Sequence, residues 1–150
     1  MKYFLKVLGY TKDKSENLLL TFEEDGSAFW QEKCKVWFSK RAGSKVKIGD
    51  ILIQYIPLGQ PQESFQGRIV GCYEVISSFH CGNIHDKWFR FVEVKNLNKV
   101  FSEKSKHTTM ISIKEIMGKI PPAIQCGCAE ITKTQAETII KRVIELSTNN

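Results

Sequence analysis

Long hydrophobic runs are missing from this chain. No apolar run approaches the roughly 20 residues that a membrane-spanning helix requires. Residues 1–6 lead directly into strand-like sequence, without the apolar core or the small-residue cleavage site of a signal peptide. These absences predict a protein that does not span a membrane and that resides in the cytoplasm.

Catalytic and metal-binding motifs are also missing. The sequence has no glycine-rich phosphate loop, no nucleophile elbow and no His-Glu-x-x-His run. Its five cysteines are an odd number at irregular spacing, which argues against a disulfide framework and for reduced thiols. A mixed zinc site could be assembled from His80, Cys81 and His85 with Cys126 and Cys128, but the spacing matches no known module. We therefore expect no metal, no cofactor and no enzymatic activity.

What the chain does have is an excess of positive charge. It carries 22 Lys and Arg residues against 16 Asp and Glu, a formal net charge of +6. Residues 33–47 hold six basic side chains and no acidic one, around the adjacent pair Trp37 and Phe38. A second, diluted basic cluster spans residues 87–106. Clustered positive charge favours an anionic partner, and nucleic acid is the first candidate.

One stretch organises the rest of the chain. Gly49 can adopt the positive φ of a tight turn, and the Asp50 carboxylate can accept hydrogen bonds from the turn backbone. Residues 51–56 follow as a β-branched run of strand length, which predicts a central strand covered on both faces.

Several shorter signals surround this strand. Further strands are predicted at residues 2–8, 35–39, 67–76 and 87–94, with a last strand or turn at 126–128. A short helix is predicted at residues 111–117, and residues 80–86 are interpreted as a connector. Periodicity does not decide between a short helix and a strand at residues 18–24, and the helix is favoured. Thr132 and Gln135 form a capping box that begins a C-terminal helix. The helix carries one apolar stripe, formed by Ala136, Ile139, Ile140, Val143 and Ile144.

These elements predict one α+β domain over residues 1–150. Strands joined by loops rather than helices favour a curled, mostly antiparallel sheet or barrel of about five to six strands. Short helices and a C-terminal helix complete the expected architecture.

The order of these signals resembles the EVE family of the PUA-like superfamily, whose relatives include the YTH and ASCH domains. The likeness covers most of the chain and is carried by residues 3–7, Trp37, residues 46–55, residues 67–75, Trp88 and residues 131–136. The resemblance implies a compact PUA-like barrel whose pocket holds one modified base flipped out of DNA or RNA.

The resemblance also implies where such a base would bind. The positions expected at the pocket are Trp30, Trp37, Phe38, Ser39, Tyr55 and Trp88. The positions expected to hold the nucleic-acid backbone are Lys40, Arg41 and Lys45, with Arg90 extending the same surface. The alternative for the tryptophans is ordinary core packing, which is the commoner role of aromatic residues on strands.

Two other functions stay open at this point. ASCH relatives include hydrolases that act on acetylated cytidine, and Lys6, Glu74 and a threonine could be nominated for that chemistry. A third possibility is a barrel with a filled interior that binds another protein. The main expectation is a non-enzymatic module that recognises a modified base, with the oligomeric state left undetermined.

Overall fold

The computed structural model describes residues 1–7, 33–38, 45–55, 68–84, 88–97, 111–118 and 128–148. Four of the predicted site residues, Trp30, Ser39, Lys40 and Arg41, lie outside these ranges, as does the helix predicted at residues 18–24.

The described residues form a strand-rich α+β fold. The strands are β1 (Tyr3–Val7), β2 (Lys33–Phe38), β3 (Ile51–Tyr55), β4 (Arg68–Val75), β5 (His80–Ile84), β6 (Trp88–Asn96), β7 (Ile111–Ser112) and β8 (Cys128–Ile131). The helices are α1 (Ile113–Met117) and α2 (Lys133–Thr148). The strand order is β2-β6-β4-β3-β1-β8 in a single curled sheet, with β5 paired to β6 and β7 paired to β4.

The predicted strand arrangement is confirmed, whereas the predicted strand number was too low. Every pairing among the described strands is antiparallel except that of β1 with β3, which is parallel. The described residues alone contain eight strands, instead of the five to six expected. The interpretation of residues 80–86 as a connector was wrong for β5, which forms through its pairing with β6. Its sequence contains no alternation of apolar residues, so the pairing partner determines its conformation.

The turn before β3 forms as predicted. Gly49 has a φ of 93°, a backbone conformation that residues other than glycine rarely adopt. The buried Asp50 carboxylate accepts two backbone hydrogen bonds, from Lys47 N at 2.8 Å and from Lys2 N at 2.9 Å. Because Lys2 immediately precedes β1, this one side chain ties the turn to the start of the neighbouring parallel strand.

Strand β3 is central and fully buried, also as predicted. Ile51, Ile53 and Tyr55 project to the face that the helices cover, where they pack in one apolar core with Ile113, Ala136, Ile139 and Val143. Leu52 and Gln54 alternate to the opposite face, which we call the interior face.

The capping box of α2 is confirmed. Gln135 N donates to Thr132 Oγ1 at 3.2 Å, and Thr132 N donates to Gln135 Oε1 at 3.2 Å. The predicted stripe faces the sheet, with Ala136, Ile139 and Val143 buried. Among the described residues, no helix is both long enough and apolar enough to cross a membrane.

Candidate functional site

Strand β2 carries the aromatic pair that the sequence singled out, and it separates the two rings. Adjacent residues of a strand project to opposite faces of the sheet. Trp37 lies opposite Phe91 in the β2–β6 pairing, and Phe38 lies opposite Arg90. The two faces of β2 therefore carry two different clusters.

The first cluster lies on the interior face and consists of Lys6, Phe38, Gln54, Phe79 and Arg90; we call it the interior cluster. Lys6 Nζ lies 5.1 Å from the centroid of the Phe38 ring. The Phe38 and Phe79 rings meet edge to face at 5.2 Å. The Arg90 guanidinium lies 4.2 Å from the Phe79 ring centroid. Two aromatic rings in contact are thus flanked by one cation at each end, at distances where cation–π attraction acts.

The interior cluster contains polar side chains that are fully buried, and burying a polar side chain costs free energy of folding. Lys6 is 1% exposed and Gln54 is 0% exposed, and the two residues are partners in the β1–β3 pairing. Tyr73 and Asn96, also buried, continue this polar row along the interior face. Replacing buried charged or polar groups with apolar ones of similar size often stabilises a protein. Stability alone therefore does not explain a lysine and a glutamine at these positions.

The second cluster lies on the outer face of β2, β5 and β6 and consists of Lys35, Trp37, His80 and Phe91; we call it the outer platform. The Trp37 and Phe91 rings are 4.8 Å apart at 49°. His80 stacks on Phe91 at 5.1 Å and 19°, and Lys35 Nζ lies 4.7 Å from the Phe91 ring centroid.

Trp37 itself is closely packed. It is 7% exposed, and a Cβ added to Gly82 would lie 2.7 Å from Trp37 Cη2 and 2.9 Å from its Cζ3. The indole therefore rests against the bare backbone of β5 and forms the base of the outer platform.

The structure brings some predicted site residues together and keeps others apart. Phe38 and Arg90 both belong to the interior cluster. Trp37 lies on the opposite face of the sheet, and Tyr55 lies in the core beneath the helices. Burial in that core raises the pKa of Tyr55 to about 12. Lys45 is exposed ahead of the β3 turn, and Trp88 begins β6.

Sequence reasoning missed Gln54 and Phe79, and it considered Lys6 only for hydrolysis. A usable signal was present, because Lys6 and Gln54 are polar residues inside stretches otherwise typical of buried strands. The nominated pair Lys6 and Glu74 does not form a site. Glu74 lies opposite Ile51, on the other face of the sheet from Lys6 and Gln54.

Comparisons with known proteins supply little. No protein-family model matches the chain, and none of the curated proteins matches it. Among solved structures, it is similar to a structural-genomics protein from Agrobacterium tumefaciens, with 13% identity over 95% of this chain and 93% of that chain and a TM-score of 0.49. It is also similar to one from Pseudomonas putida, with 14% identity, coverage of 94% and 99%, and a TM-score of 0.44. No family or function follows from these likenesses.

Proposed function

We propose that this protein is a non-enzymatic, PUA-like module of the EVE type that recognises a modified base in nucleic acid, with the interior cluster as its binding site. The observation that carries the proposal is the buried pair Lys6 and Gln54, with Lys6 Nζ 5.1 Å from the centroid of the Phe38 ring. This pair combines hydrogen-bonding groups with an aromatic ring, the combination that enzymes acting on flipped bases use to read a base edge and to stack on the base.

Each member has a distinct proposed role. The Gln54 carboxamide offers a donor and an acceptor side by side, which suits the edge of a base. The Lys6 ammonium is a donor for a ring oxygen or nitrogen of the base. The proposed stacking partner of the base is Phe38, the buried ring beside Lys6, and the proposed cation for a phosphate is Arg90 at the half-buried edge.

The surrounding charge fits a polyanionic ligand. Lys33, Lys35, Lys45 and Lys47 are all exposed in the described part of the chain. In the sequence, Lys40 and Arg41 follow Phe38 by two and three positions, and their proposed role is to hold the nucleic-acid backbone. Extruding a base costs a few kcal/mol, and stacking on an aromatic ring returns roughly 1–3 kcal/mol. Backbone contacts must therefore supply part of the affinity, and binding should weaken steeply with salt.

A binding comparison tests this proposal. Labelled DNA and RNA oligonucleotides carrying one methylated or hydroxymethylated base are compared with unmodified ones by fluorescence anisotropy at physiological salt. We expect at least one modification to bind about tenfold more tightly, which corresponds to about 1.4 kcal/mol. Equal affinity for modified and unmodified oligonucleotides across the set would overturn the proposal.

Two variants assign the preference to the interior cluster. Lys6→Met removes the buried charge while keeping similar length, and it should abolish the preference for the modified base without unfolding the protein. Lys2→Met is the matched control, because it removes a lysine four residues earlier, at an exposed position where Nζ lies 3.9 Å from Glu130 Oε1. The control should keep the preference.

A hydrolase acting on acetylated cytidine is the second candidate, favoured by the buried lysine on the interior face. Its nominated acid, Glu74, lies on the opposite face and is not available to Lys6. Incubation with acetylated cytidine distinguishes the two functions. Released acetate, lost in Lys6→Met, would support the hydrolase, whereas binding without turnover supports the recognition module.

A further inference from the structure

The outer platform is a second surface that the proposed base-recognition site does not use. Its aromatic groups lie in a row across three neighbouring strands: Trp37 on β2, Phe91 on β6 and His80 on β5. The row spans about 10 Å, because adjacent strands are about 4.8 Å apart. Exposure increases along it, from the buried Trp37 through the half-buried Phe91 to the exposed His80.

This gradient leaves one ring accessible for stacking. The imidazole of His80 lies nearly parallel to the Phe91 ring, at 19° and 5.1 Å, so one of its faces is covered. Because His80 is exposed, its other face and its edge meet solvent. A flat ring held parallel to a supporting ring is suited to stack a further planar group, and nucleic-acid bases are the planar groups that sheet surfaces commonly bind in this way.

The charges on the same face favour an anion. Lys35 Nζ lies 4.7 Å from the Phe91 ring centroid, and Lys33 and Lys95 face each other directly in the β2–β6 pairing. Like charges at directly opposite positions destabilise a sheet, and a phosphate between them would relieve this repulsion. Among the described residues, two carboxylates share the face: Glu93 lies opposite Lys35, and the half-buried Glu74 lies opposite Lys95. Three lysines against two carboxylates leave a net positive surface.

We infer that the outer platform binds an unpaired segment of nucleic acid, with one base stacked on His80 and the phosphates held by Lys33, Lys35 and Lys95. Aromatic stacking combined with cationic side chains is the usual means of binding single strands without sequence preference. A duplex is excluded as the main ligand, because its bases are stacked within the helix and offer no free face. This binding does not depend on recognition of a modified base at the interior cluster.

The test uses unmodified oligonucleotides and the full chain. Labelled oligo-dT and oligo-U are titrated with the wild type, His80→Ala and Lys35→Gln, which change two residues of the outer platform that are exposed. We expect His80→Ala to weaken binding at least about fivefold, the lower end of what one stacked base contributes. Lys35→Gln should weaken binding and lower the slope of log K against log salt by about 1.

Lys133→Gln, an exposed charge removal on α2, is the matched control and should bind as the wild type does. The two oligonucleotides distinguish DNA from RNA, and either one bound by the platform supports the inference. Wild-type affinity in both platform variants, an equal loss in Lys133→Gln, or a duplex bound as tightly as single strands would each overturn it.

The same titrations keep this inference separate from the proposed function. His80→Ala should weaken modified and unmodified oligonucleotides equally, leaving the ratio between them unchanged. If the wild type binds modified and unmodified oligonucleotides with equal affinity while the platform variants still weaken binding, only the proposal of base recognition is overturned.

Discussion

Gly82 on β5 provides the space in which the Trp37 indole packs. A Cβ at this position would come within 3 Å of two atoms of the indole six-membered ring, closer than such atoms approach in proteins. The Phe91 ring also packs against the indole, with ring centroids 4.8 Å apart, and Trp37 is 7% exposed, so the indole has little room to move away. The size of residue 82 therefore controls the packing of the outer platform.

We predict that Gly82→Ala lowers the free energy of unfolding by about 1–3 kcal/mol, the usual cost of forcing an extra group into a packed site. Urea denaturation measures this change. Trp37→Phe removes the atoms that the new methyl group would meet, so in the double variant Gly82→Ala should cost clearly less. If Gly82→Ala lowers the free energy of unfolding equally in the wild type and in Trp37→Phe, the contact with Trp37 is not the cause of the destabilisation.

Tyr55 makes stability depend on alkaline pH. Burial disfavours the phenolate and raises the pKa of Tyr55 from 10 to about 12 in the folded protein, while the unfolded chain keeps the ordinary value. The stabilising contribution is therefore complete below pH 10 and is lost as the pH rises from about 10 to 12. Two pKa units correspond to a loss of about 3 kcal/mol at most.

We predict that Tyr55→Phe, which cannot ionise, loses less stability than the wild type between pH 9 and about pH 11.5. Urea denaturation at the two pH values measures the difference. The pKa of Cys72 is also raised by burial, but this thiol is present in both proteins and cancels from the comparison. At neutral pH the substitution should be close to neutral, because the Tyr55 hydroxyl has no hydrogen-bond partner among the described residues. An equal loss of unfolding free energy in the wild type and in Tyr55→Phe would contradict the assignment of the alkaline pH dependence to Tyr55.

At the scale of elements, the turn before β3 joins two strands that are distant in sequence. Asp50 accepts hydrogen bonds from Lys47 N within the turn and from Lys2 N beside β1. Both bonds involve a buried carboxylate, and hydrogen bonds to charged groups contribute about 1.5–3 kcal/mol each. The side chain therefore fixes both the turn and the position of β1 next to β3.

We predict that Asp50→Ala lowers the free energy of unfolding by about 3 kcal/mol or more, since two backbone donors lose a charged acceptor. Asp50→Asn keeps one acceptor oxygen and should cost less than Asp50→Ala. Chemical denaturation of the three proteins checks this order, and equal stability of Asp50→Ala and the wild type would contradict it.

The elements differ in how far the sequence could predict them. Strand β3 and helix α2 were predicted correctly because their signals are local: a Gly-Asp turn before an apolar run, and a capping box before a periodic stripe. Strand β5 was missed because it contains Gly82 and lacks alternation, and its conformation depends on β6, which follows it in the chain. Pairing partners are not encoded in the segment itself.

The candidate site was harder to predict for a related reason. The family resemblance assigned Trp37 and Phe38 to one pocket, although a strand directs neighbours to opposite faces. Lys6 and Gln54 meet only because β1 pairs in parallel with β3, a contact between distant parts of the chain. The roles of Trp30, Ser39, Lys40 and Arg41 stay predictions, because these residues lie outside the described ranges.

At the scale of the whole molecule, one sheet presents three distinct environments. The helices cover one face around β3, the interior face holds the buried polar row, and the outer platform opens on β2, β5 and β6. We propose a different role for each of the surfaces that contact nucleic acid. The interior cluster reads a base, the outer platform holds an unpaired strand, and the exposed lysines attract the phosphate backbone.

The most direct test of base recognition is a titration of isotope-labelled protein with free nucleosides, followed by nuclear magnetic resonance. Free nucleosides remove the backbone contribution, so the signals report on the base site alone. We predict that a methylated or hydroxymethylated nucleoside shifts the side-chain amide signals of Gln54 more strongly than its unmodified parent does, while signals of Lys133 and Glu137 on α2 stay unchanged. Saturating nucleoside that leaves the Gln54 signals in place would contradict the claim that the interior cluster reads a base.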